Sequence, residues 1–513
     1  MLTKTHGAIA AGHQKTVEAG QAMFALGGNA FDAAVAAVLA SFVVEPCLTS
    51  AAGGGFLLAH TQNNQQFLFD FFTQTPRSKK PLNALDFYPV EVNFGGAKQT
   101  FHIGKGSIAV PGNMAGLFAV QDKLGKLPFW EVAQPAIDYA TRGVKISKFQ
   151  DFCLGILEPI ISATPEASNL FFDQGRRLQE GDILKMQDFA TTLTELAKYG
   201  PKEFYEGEIA QQLVKDCQEQ GGYLTLEDLQ NYQVVIREPL ITNYRGYQII
   251  TNPCPSSGGT LIAFALELLK TINLADYKFA SQEHLQIMAQ VMSLTNTARA
   301  SKQDDFSENF LALEHLRKYQ ESLKKTVNKW GSTTHVSVID SEGNAASVTT
   351  SNGEGSGYMI PGTGIMVNNM LGEADLNPLG FHTWQTNQRL ASMMAPTIIL
   401  QDNHPKFVLG SGGSNRIRTA ILQIISNLID FQMDSSLAVE SPRIHWENNV
   451  FHSEPIATSE VFDNLNLPNA SNVVLWPEKN MFFGGVNAVE VRANNFVGVG
   501  DSRRMGAFAN CYS

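Results

Sequence analysis

Several features that define large protein classes are scarce in this sequence. Its 513 residues include five cysteines, an odd and widely scattered set without a Cys-x-x-Cys pair: Cys47, Cys153, Cys217, Cys254 and Cys511. Such cysteines form neither a disulfide framework nor a thiolate metal site, and thiols kept in a reducing compartment are the simplest interpretation. We therefore expect a cytoplasmic protein.

Basic charge is scarce as well. The chain carries 38 Lys and Arg against 49 Asp and Glu, which gives a formal net charge of −11. Binding to a phosphate backbone needs a basic footprint, and the sequence has no basic patch with interleaved aromatic residues. We predict that nucleic acid is not a partner.

Long hydrophobic runs and metal-binding motifs are also missing. The most apolar stretch, residues 30–44, contains Asp32 and at about 15 residues is too short to span a bilayer. The N-terminus lacks the uninterrupted apolar segment of a secretory signal. The 11 histidines include no His-Glu-x-x-His motif and no pair at ligand spacing. We predict no membrane partner, no metal site and no cofactor.

The composition that remains is typical of a well-packed globular protein, with 44% hydrophobic and 17% charged residues. The length suits two to four ordinary domains or one large layered domain. Asn29 predicts a capped helix from Ala30 to about Phe42. Residues 301–330 are polar and predict an exposed helix or linker. After Gly331, strand alternation and glycine turns predominate.

A β-hairpin is predicted just after this linker. Residues 333–339 (TTHVSVI) alternate, with Val336 and Val338 on one face and His335 and Ser337 on the other. The sequence DSEGN at 340–344 is a turn signal, and residues 345–351 resume a strand pattern.

The register of this hairpin brings hydroxyl groups together. With a five-residue loop, Ile339 faces Ala345 and Thr333 faces Ser351, with their Cβ atoms about 5 Å apart. A slip of one residue would place Thr350 or Asn352 opposite Thr333 instead. In each register a hydroxyl-rich strand lies beside Thr333.

Thr333 is a candidate nucleophile only if a base takes its proton. The sequence offers no evident His or Asp partner, but a free α-amino group titrates near pH 7.7–8.0 and is suited to this task. That base exists if the Ser332–Thr333 bond is cleaved, and the exposed linker would make such a cut accessible. Alternatively, these hydroxyl residues are ordinary β-strand formers.

Seven blocks of sequence, in order along nearly the whole chain, resemble the γ-glutamyltransferase (γ-glutamyltranspeptidase) family of N-terminal-nucleophile hydrolases. They are GGNAFDAAVAA with GGGF, GSIAVPGNMAG, YRGY with PSSGG, TTHVSVID, GTGIMVNNM, SMMAPTI and GSGG. The resemblance implies an α+β protein folded as a four-layer αββα sandwich. It implies a proenzyme that cuts itself before Thr333 into a large subunit, 1–332, and a small subunit, 333–513. These would stay together as one intertwined domain, a heterodimer of the chain's own fragments.

The resemblance further implies that Thr333 attacks a small-molecule γ-glutamyl amide, as in glutathione metabolism, and passes the acyl group to water or an amine. Gly412 and Gly413 match the family's paired oxyanion-hole glycines by motif. The same segment reads as a strand, a glycine turn and a helix, whose first N–H groups would suit an oxyanion. Alignment on Arg416 instead would move the pair to Gly413 and Ser414.

The departures from the family pattern concern the substrate. Phe72 stands where better-known members carry an arginine for the substrate carboxylate, and a phenyl ring cannot form that bidentate ion pair. Arg77 follows a few residues later. Ser351 keeps the hydroxyl of a Thr-x-Asn pair, whose asparagine is lost or displaced to Asn352.

Two other binding positions are altered in the same way. Glu373 keeps one carboxylate for the substrate amine, although a solvated loop carboxylate is the alternative. Ser392 keeps one of two hydroxyls, because Met393 replaces the second. The machinery for cleavage and acyl transfer is therefore complete, while the substrate clamp is changed. Two alternatives stay open: an acylase acting on a non-glutamyl amide, and an uncleaved, inactive family member that serves as a binding protein.

Overall fold

A computed structural model describes residues 5–93, 98–301, 332–456, 470–493 and 495–512, together with the single residues 311, 462, 465 and 467. Thirteen strands build two central sheets. They are β1 (Thr5–Ala11), β2 (Gly54–His60), β3 (Gln66–Phe71), β4 (Val235–Arg237), β5 (Leu240–Tyr244), β6 (Tyr247–Thr251), β7 (Thr334–Asp340), β8 (Ala345–Ser351), β9 (Thr397–Gln401), β10 (His404–Gly412), β11 (Gly485–Arg492), β12 (Asn495–Val499) and β13 (Ala507–Tyr512).

Both sheets are antiparallel throughout. The seven-stranded sheet has the order β4-β3-β2-β8-β7-β1-β13, and the six-stranded sheet has the order β5-β6-β9-β10-β11-β12. Strands from either side of residue 332 interleave, since β8 pairs with β2, β7 with β1, and β9 with β6. Four shorter pairings and one small sheet use strands at Tyr88–Asn93 with Lys98–Ile103, Val144–Lys145 with Ile183–Leu184, Phe172–Asp173 with Arg176–Arg177, Met359–Ile360 with Ile365–Met366, and Ile444–Glu447 with Val450–Ser453 and Asn472–Leu475.

Helices cover the outer face of each sheet. Gln14–Ala25 and Ala30–Val44 pack on the seven-stranded sheet, and Ser257–Leu269 and Arg416–Ile429 pack on the six-stranded sheet. The other helices among the described residues are Asn113–Leu124, Phe129–Arg142, Lys148–Ile156, Glu158–Ile161, Pro165–Phe171, Gln187–Tyr199, Lys202–Tyr205, Glu208–Glu219, Leu226–Gln230, Gln282–Ser301 and Ser435–Glu440. This mixture confirms the predicted α+β class.

The helix Ala30–Val44 begins where the sequence predicts and ends two residues later. The Asn29 side chain accepts hydrogen bonds from the Phe31 and Asp32 backbone N–H groups, while the Asp32 carboxylate accepts from the Asn29 N–H at 2.7 Å. Every residue of the helix is buried. A helix that is apolar all round is one enclosed by other elements, and its small alanines permit that close packing.

The hairpin β7–β8 has the predicted register. Thr334 faces Thr350 and Ile339 faces Ala345, so the next facing positions are Thr333 and Ser351. The prediction is confirmed, and it depends only on a five-residue turn and on alternation within each strand.

Polar contacts bind this hairpin to the six-stranded sheet. Ser347 Oγ accepts from the Thr397 N–H and donates to the Leu409 carbonyl, each at 3.0 Å, and Asn487 Nδ2 donates to the His335 carbonyl at 2.8 Å. A Cβ at Gly410 would overlap the His335 ring. Strand β10 must therefore carry glycine there, and the close approach fixes the hairpin against β10.

Candidate active site

The Ser332–Thr333 bond lies just before β7 and is buried, with Ser332 only 7% and Thr333 5% exposed. The expectation that a cut here would be accessible is therefore wrong for the bond itself. The reason is that hydrogen bonds hold Ser332 in the protein interior, just before the first residue of β7. The predicted exposed linker, residues 301–330, falls almost entirely outside the described residues. A buried bond favours cleavage by the chain's own groups over cleavage by another protein.

Two hydroxyl groups converge on the carbonyl of Ser332. Thr333 Oγ1 donates to this oxygen at 2.7 Å, and Ser351 Oγ donates to it at 2.6 Å. The Ser351 hydroxyl also accepts from the Gly353 N–H at 2.9 Å. The predicted pair of hydroxyls thus meets at the carbonyl that precedes the candidate nucleophile. Donors at this oxygen polarise the carbonyl and stabilise the negative charge that develops when its carbon is attacked.

His335 lies on the same face of β7 as Thr333, but its ring contacts other side chains. Its ring nitrogens bond Thr349 Oγ1 at 2.7 Å and Ser337 Oγ at 2.9 Å. Burial lowers the pKa of His335 to about 3, so the imidazole is neutral at physiological pH. These contacts occupy both ring nitrogens of the imidazole, and the assignment of the base to the threonine's own α-amino group stays a prediction.

Glu354 is a site residue that the sequence reasoning missed. Its Oε1 accepts from the Ser332 backbone N–H at 2.8 Å, and its Oε2 accepts from Ser332 Oγ at 2.6 Å. Burial raises the pKa of Glu354 to about 7, although the hydrogen bonds from Ser332 oppose the shift. A glutamate flanked by Gly353 and Gly355 resembles a solvated turn, so no local signal marks it as buried.

Gly412 lies beside Thr333. A Cβ at Gly412 would overlap the Thr333 carbonyl oxygen, and Gly413 has a φ of +120° that favours glycine. Strand β10 runs through Gly412, and the following helix begins only at Arg416. The end of a strand, rather than a helix N-terminus, therefore approaches the nucleophile. The assignment of Gly412 and Gly413 to an oxyanion hole stays a prediction.

Arg504 was also missed. This buried guanidinium donates from Nη1 to the Thr333 carbonyl at 3.1 Å. It comes from a short 3₁₀ helix, Ser502–Arg504, near the end of the chain. The contact fixes the main chain on the far side of the candidate nucleophile, so Thr333 is held from both of its peptide groups.

Glu373 is buried at 5% exposure and is not a solvated loop carboxylate. Burial, followed by the neighbouring charges of Asp375 and Glu354, raises its pKa well above the usual range. Among the described residues, no hydrogen-bond partner reaches its Oε1. Ser414 Oγ, next to the paired glycines, donates to Asp375 Oδ2 at 2.5 Å. Glu373, Asp375 and Glu354 therefore lie close together and form a group of hydrogen-bond acceptors, which we call the acceptor-rich corner.

The two remaining predicted binding residues differ in their surroundings. Asn352 follows Ser351 directly and is buried, and its carbonyl accepts from the Asn369 N–H at 3.2 Å. Ser392 instead lies at the start of helix Ser257–Leu269, where its carbonyl accepts from the Ser257 N–H at 2.8 Å. The hydrogen bonds of Ser392 connect it to that helix and to Met394, and its role in binding stays a prediction.

Phe72 fills the core. Its ring stacks on Phe56 with centroids 5.4 Å apart, and its carbonyl accepts from the Tyr232 hydroxyl at 2.8 Å and from the Arg389 guanidinium. Arg77 lies 3.9 Å from Glu227 in a partly exposed pair. The Phe72 ring thus packs between the sheets and offers no group to a carboxylate.

Glu45 supports the site from the helix side. It accepts from Thr334 Oγ1 at 2.8 Å and from Thr16 Oγ1 at 3.0 Å, and burial raises its pKa to about 7. Since the folded-state pKa lies above the unfolded value of 4.5, the carboxyl stabilises the fold fully below pH 4.5. That contribution is lost as the pH rises through 7.

We expect Glu45→Gln to be more stable than the wild type at pH 8, by about 3 kcal/mol, because the amide carries no buried charge. Its oxygen can accept from one threonine hydroxyl while its N–H donates to the other. The melting temperatures of the two proteins should converge near pH 4.5. Thermal unfolding from pH 4.5 to 8 measures this, with the partly exposed Glu18→Gln as a control that follows the wild type. Parallel curves for Glu45→Gln and the wild type would show that Glu45 does not titrate as described.

The chain is similar to known proteins along nearly its whole length. The gamma-glutamyltranspeptidase family model matches residues 16–511. The chain is 31% identical to a glutathione hydrolase proenzyme of Bacillus subtilis (strain 168), covering 98% of this chain and 91% of the relative. It is 30% identical to the acylase ACY 1 proenzyme of Pseudomonas sp. (strain V22), covering 95% and 90%.

A solved structure matches in fold. The cephalosporin acylase from Bacillus halodurans superposes with a TM-score of 0.87 at 23% identity, over 99% of this chain and 96% of the other. The chain belongs to the gamma-glutamyltranspeptidase family and is an enzyme of the hydrolase and transferase kind. The recognition made from the sequence blocks is confirmed.

Among the described residues, none of the helices combines the length and the apolar composition of a membrane span. Within the same ranges, no group of three or more His, Cys, Asp or Glu side chains is arranged to hold a metal ion.

Proposed function

We propose that the protein is a self-processing amidohydrolase and transpeptidase that forms an acyl-enzyme on Thr333. The observation that carries this proposal is the convergence of the Thr333 and Ser351 hydroxyls on the buried Ser332 carbonyl. The nucleophile, the carbonyl that it attacks and a donor to the developing oxyanion are assembled before any substrate binds.

In the processing step, Thr333 Oγ1 adds to the carbonyl carbon of Ser332. The bond from that carbon to the Thr333 nitrogen then breaks, the nitrogen receives the proton, and an ester links Ser332 to the threonine oxygen. Water hydrolyses the ester. The products are a fragment 1–332 ending in a carboxylate and a fragment 333–513 beginning with a free amine.

That new amine is the base for the second reaction. It takes the Thr333 hydroxyl proton while the oxygen attacks the substrate amide, and the leaving amine departs with a proton. Water or an acceptor amine then removes the acyl group. We assign the backbone N–H groups of Gly412 and Gly413 to the oxyanion, because Gly412 lies against Thr333.

The two fragments should remain a heterodimer in one intertwined domain, because each sheet contains strands from both fragments that pair with one another. Two facing sheets with helices outside support the four-layer αββα sandwich expected of the family. The four buried thiols at Cys47, Cys153, Cys217 and Cys511 support a cytoplasmic location, which stays a prediction.

The substrate is a small-molecule amide, and the acceptor-rich corner at Glu373 suits one with an amine on its acyl part. The glutathione hydrolase relative favours a γ-glutamyl donor. The acylase relative and the core position of Phe72 favour a second candidate, a non-glutamyl amide whose acyl part carries no α-carboxylate.

Anilide substrates separate these candidates. We expect turnover of γ-glutamyl p-nitroanilide to be weak, with a high KM, and turnover of an acyl anilide that lacks the α-carboxylate to be comparable or better. A low KM for the γ-glutamyl compound would contradict the role given to Phe72. Failure to hydrolyse any anilide, by a chain that also stays uncleaved, would support an inactive binding protein.

A further inference from the structure

Glu354 binds Ser332, whose carbonyl carbon is attacked in the proposed self-cleavage. We propose that Glu354 is the positioning residue for self-cleavage and acts by fixing the Ser332 peptide group. This inference rests on the proposed function, and it gives a carboxylate outside the Ser-Thr-Thr-His segment a positioning role in the processing step. Glu354 is called a positioning residue because it acts through Ser332 and does not touch Thr333 Oγ1.

Every polar group of Ser332 is held by a hydrogen bond. Its N–H and Oγ donate to the two oxygens of Glu354, at 2.8 Å and 2.6 Å, while its carbonyl accepts from Thr333 and Ser351. Rotation of Ser332 about its own backbone bonds would break one of these contacts. The grip therefore fixes the plane of the bond to be cut, and near-attack geometry of this kind contributes strongly to rate.

Glu354 is itself fixed in position. Its backbone N–H donates to Asn369 Oδ1 at 2.9 Å, and it is buried at 3% exposure. Gly353 precedes it with a φ of +67°, and a Cβ there would overlap the Asn369 side chain. The conformation of the main chain therefore brings this carboxylate to Ser332, which lies 22 residues earlier in the sequence.

The surroundings of Glu354 are unfavourable for a carboxylate. It is buried near two other carboxyl groups, Glu373 and Asp375, and burial and the Asp375 charge both raise its pKa. A buried carboxyl costs stability unless hydrogen bonds satisfy its oxygens. The N–H and the hydroxyl of Ser332 supply those hydrogen bonds, so the carboxyl is held by the residue that precedes the bond to be cut.

The test is a double-mutant cycle on the rate of self-cleavage. Full-length precursor from a short, cold induction is incubated, and intact mass is followed over time for the wild type, Glu354→Ala, Ser332→Ala and the double variant. We expect Glu354→Ala to slow cleavage at least tenfold. The double variant should be no slower than Glu354→Ala alone, because the lost interaction is shared.

Two controls separate positioning from general damage. Glu354→Gln keeps one acceptor for the Ser332 N–H and should recover most of the rate, with a melting temperature close to that of Glu354→Ala. Glu342→Gln changes an exposed glutamate of the same hairpin, paired with Lys126 at 2.9 Å, and should cleave at the wild-type rate.

The outcomes are distinguishable. Cleavage of Glu354→Ala at the wild-type rate, or additive effects of the two single variants, overturns the inference and leaves the proposed function intact. A wild-type chain that never cleaves overturns both. Slow cleavage that tracks a fall in melting temperature across all variants indicates a structural role and overturns the inference.

Discussion

Thr333→Ala is expected to remain a single 56.1-kDa chain and to lose catalysis by at least about 10⁴-fold. The substitution removes the oxygen to which we assign the attack on both the Ser332 carbonyl and the substrate. After the proposed cleavage, no other hydroxyl of the site would have an α-amino group on its own residue as a base. Thr333 is buried, and its hydroxyl bonds the carbonyl of the neighbouring Ser332. The loss of this short-range contact should leave the fold intact.

Denaturing gels and intact mass measure the first effect, and anilide turnover measures the second. Thr333→Ser keeps the hydroxyl and the amine, so it should still cleave and turn over, more slowly than the wild type because the serine hydroxyl is freer to rotate. A Thr333→Ala chain that cleaves at the same bond would show that the nucleophile is another residue.

Ser351→Ala is expected to slow self-cleavage by about 10²-fold, the size of effect found when one oxyanion donor is removed. Its hydroxyl donates to the Ser332 carbonyl oxygen, on which negative charge develops, so its loss weakens the transition state more than the ground state.

The matched control is Ser347→Ala, on the same face of β8. That hydroxyl bonds Thr397 and Leu409 across the sheet interface and touches no reacting atom. It should lower the melting temperature and leave the cleavage rate of the folded protein near the wild-type value. Equal cleavage rates for Ser351→Ala and the wild type would remove Ser351 from the mechanism.

Local patterns explain what the sequence could predict. The register of β7–β8 follows from alternation and one turn length, and the helix after Asn29 follows from a capping box and an apolar run. Thr333 and Ser351 meet because both lie on this one hairpin. A pattern of period two contains that information without any tertiary contact.

The missed residues come from distant segments. Arg504 reaches the Thr333 carbonyl across 171 positions, and Glu45 reaches Thr334 across 289. Their roles depend on sheet order, which alternation within one strand does not specify. Glu354 is close in sequence but follows a glycine, where a buried carboxylate and a solvated turn have the same pattern. The sequence likewise did not predict that the Ser332–Thr333 bond is buried, because Glu354, which bonds Ser332, was not recognised as a buried residue.

Differences in the substrate clamp were visible in the sequence, but their meaning depended on packing. Phe72 could be recognised as a lost arginine, whereas its stacking on Phe56 needed the two sheets in place. Glu373 could be recognised as a carboxylate, but its burial beside Glu354 and Asp375 required the tertiary fold.

The most direct test of self-processing at Thr333 is the intact mass of freshly purified wild-type protein under denaturing conditions, followed over time without added protease. The account predicts two species, residues 1–332 and residues 333–513, with threonine as the first residue of the smaller one. A persistent 56.1-kDa chain, or a cut at any other bond, would contradict it.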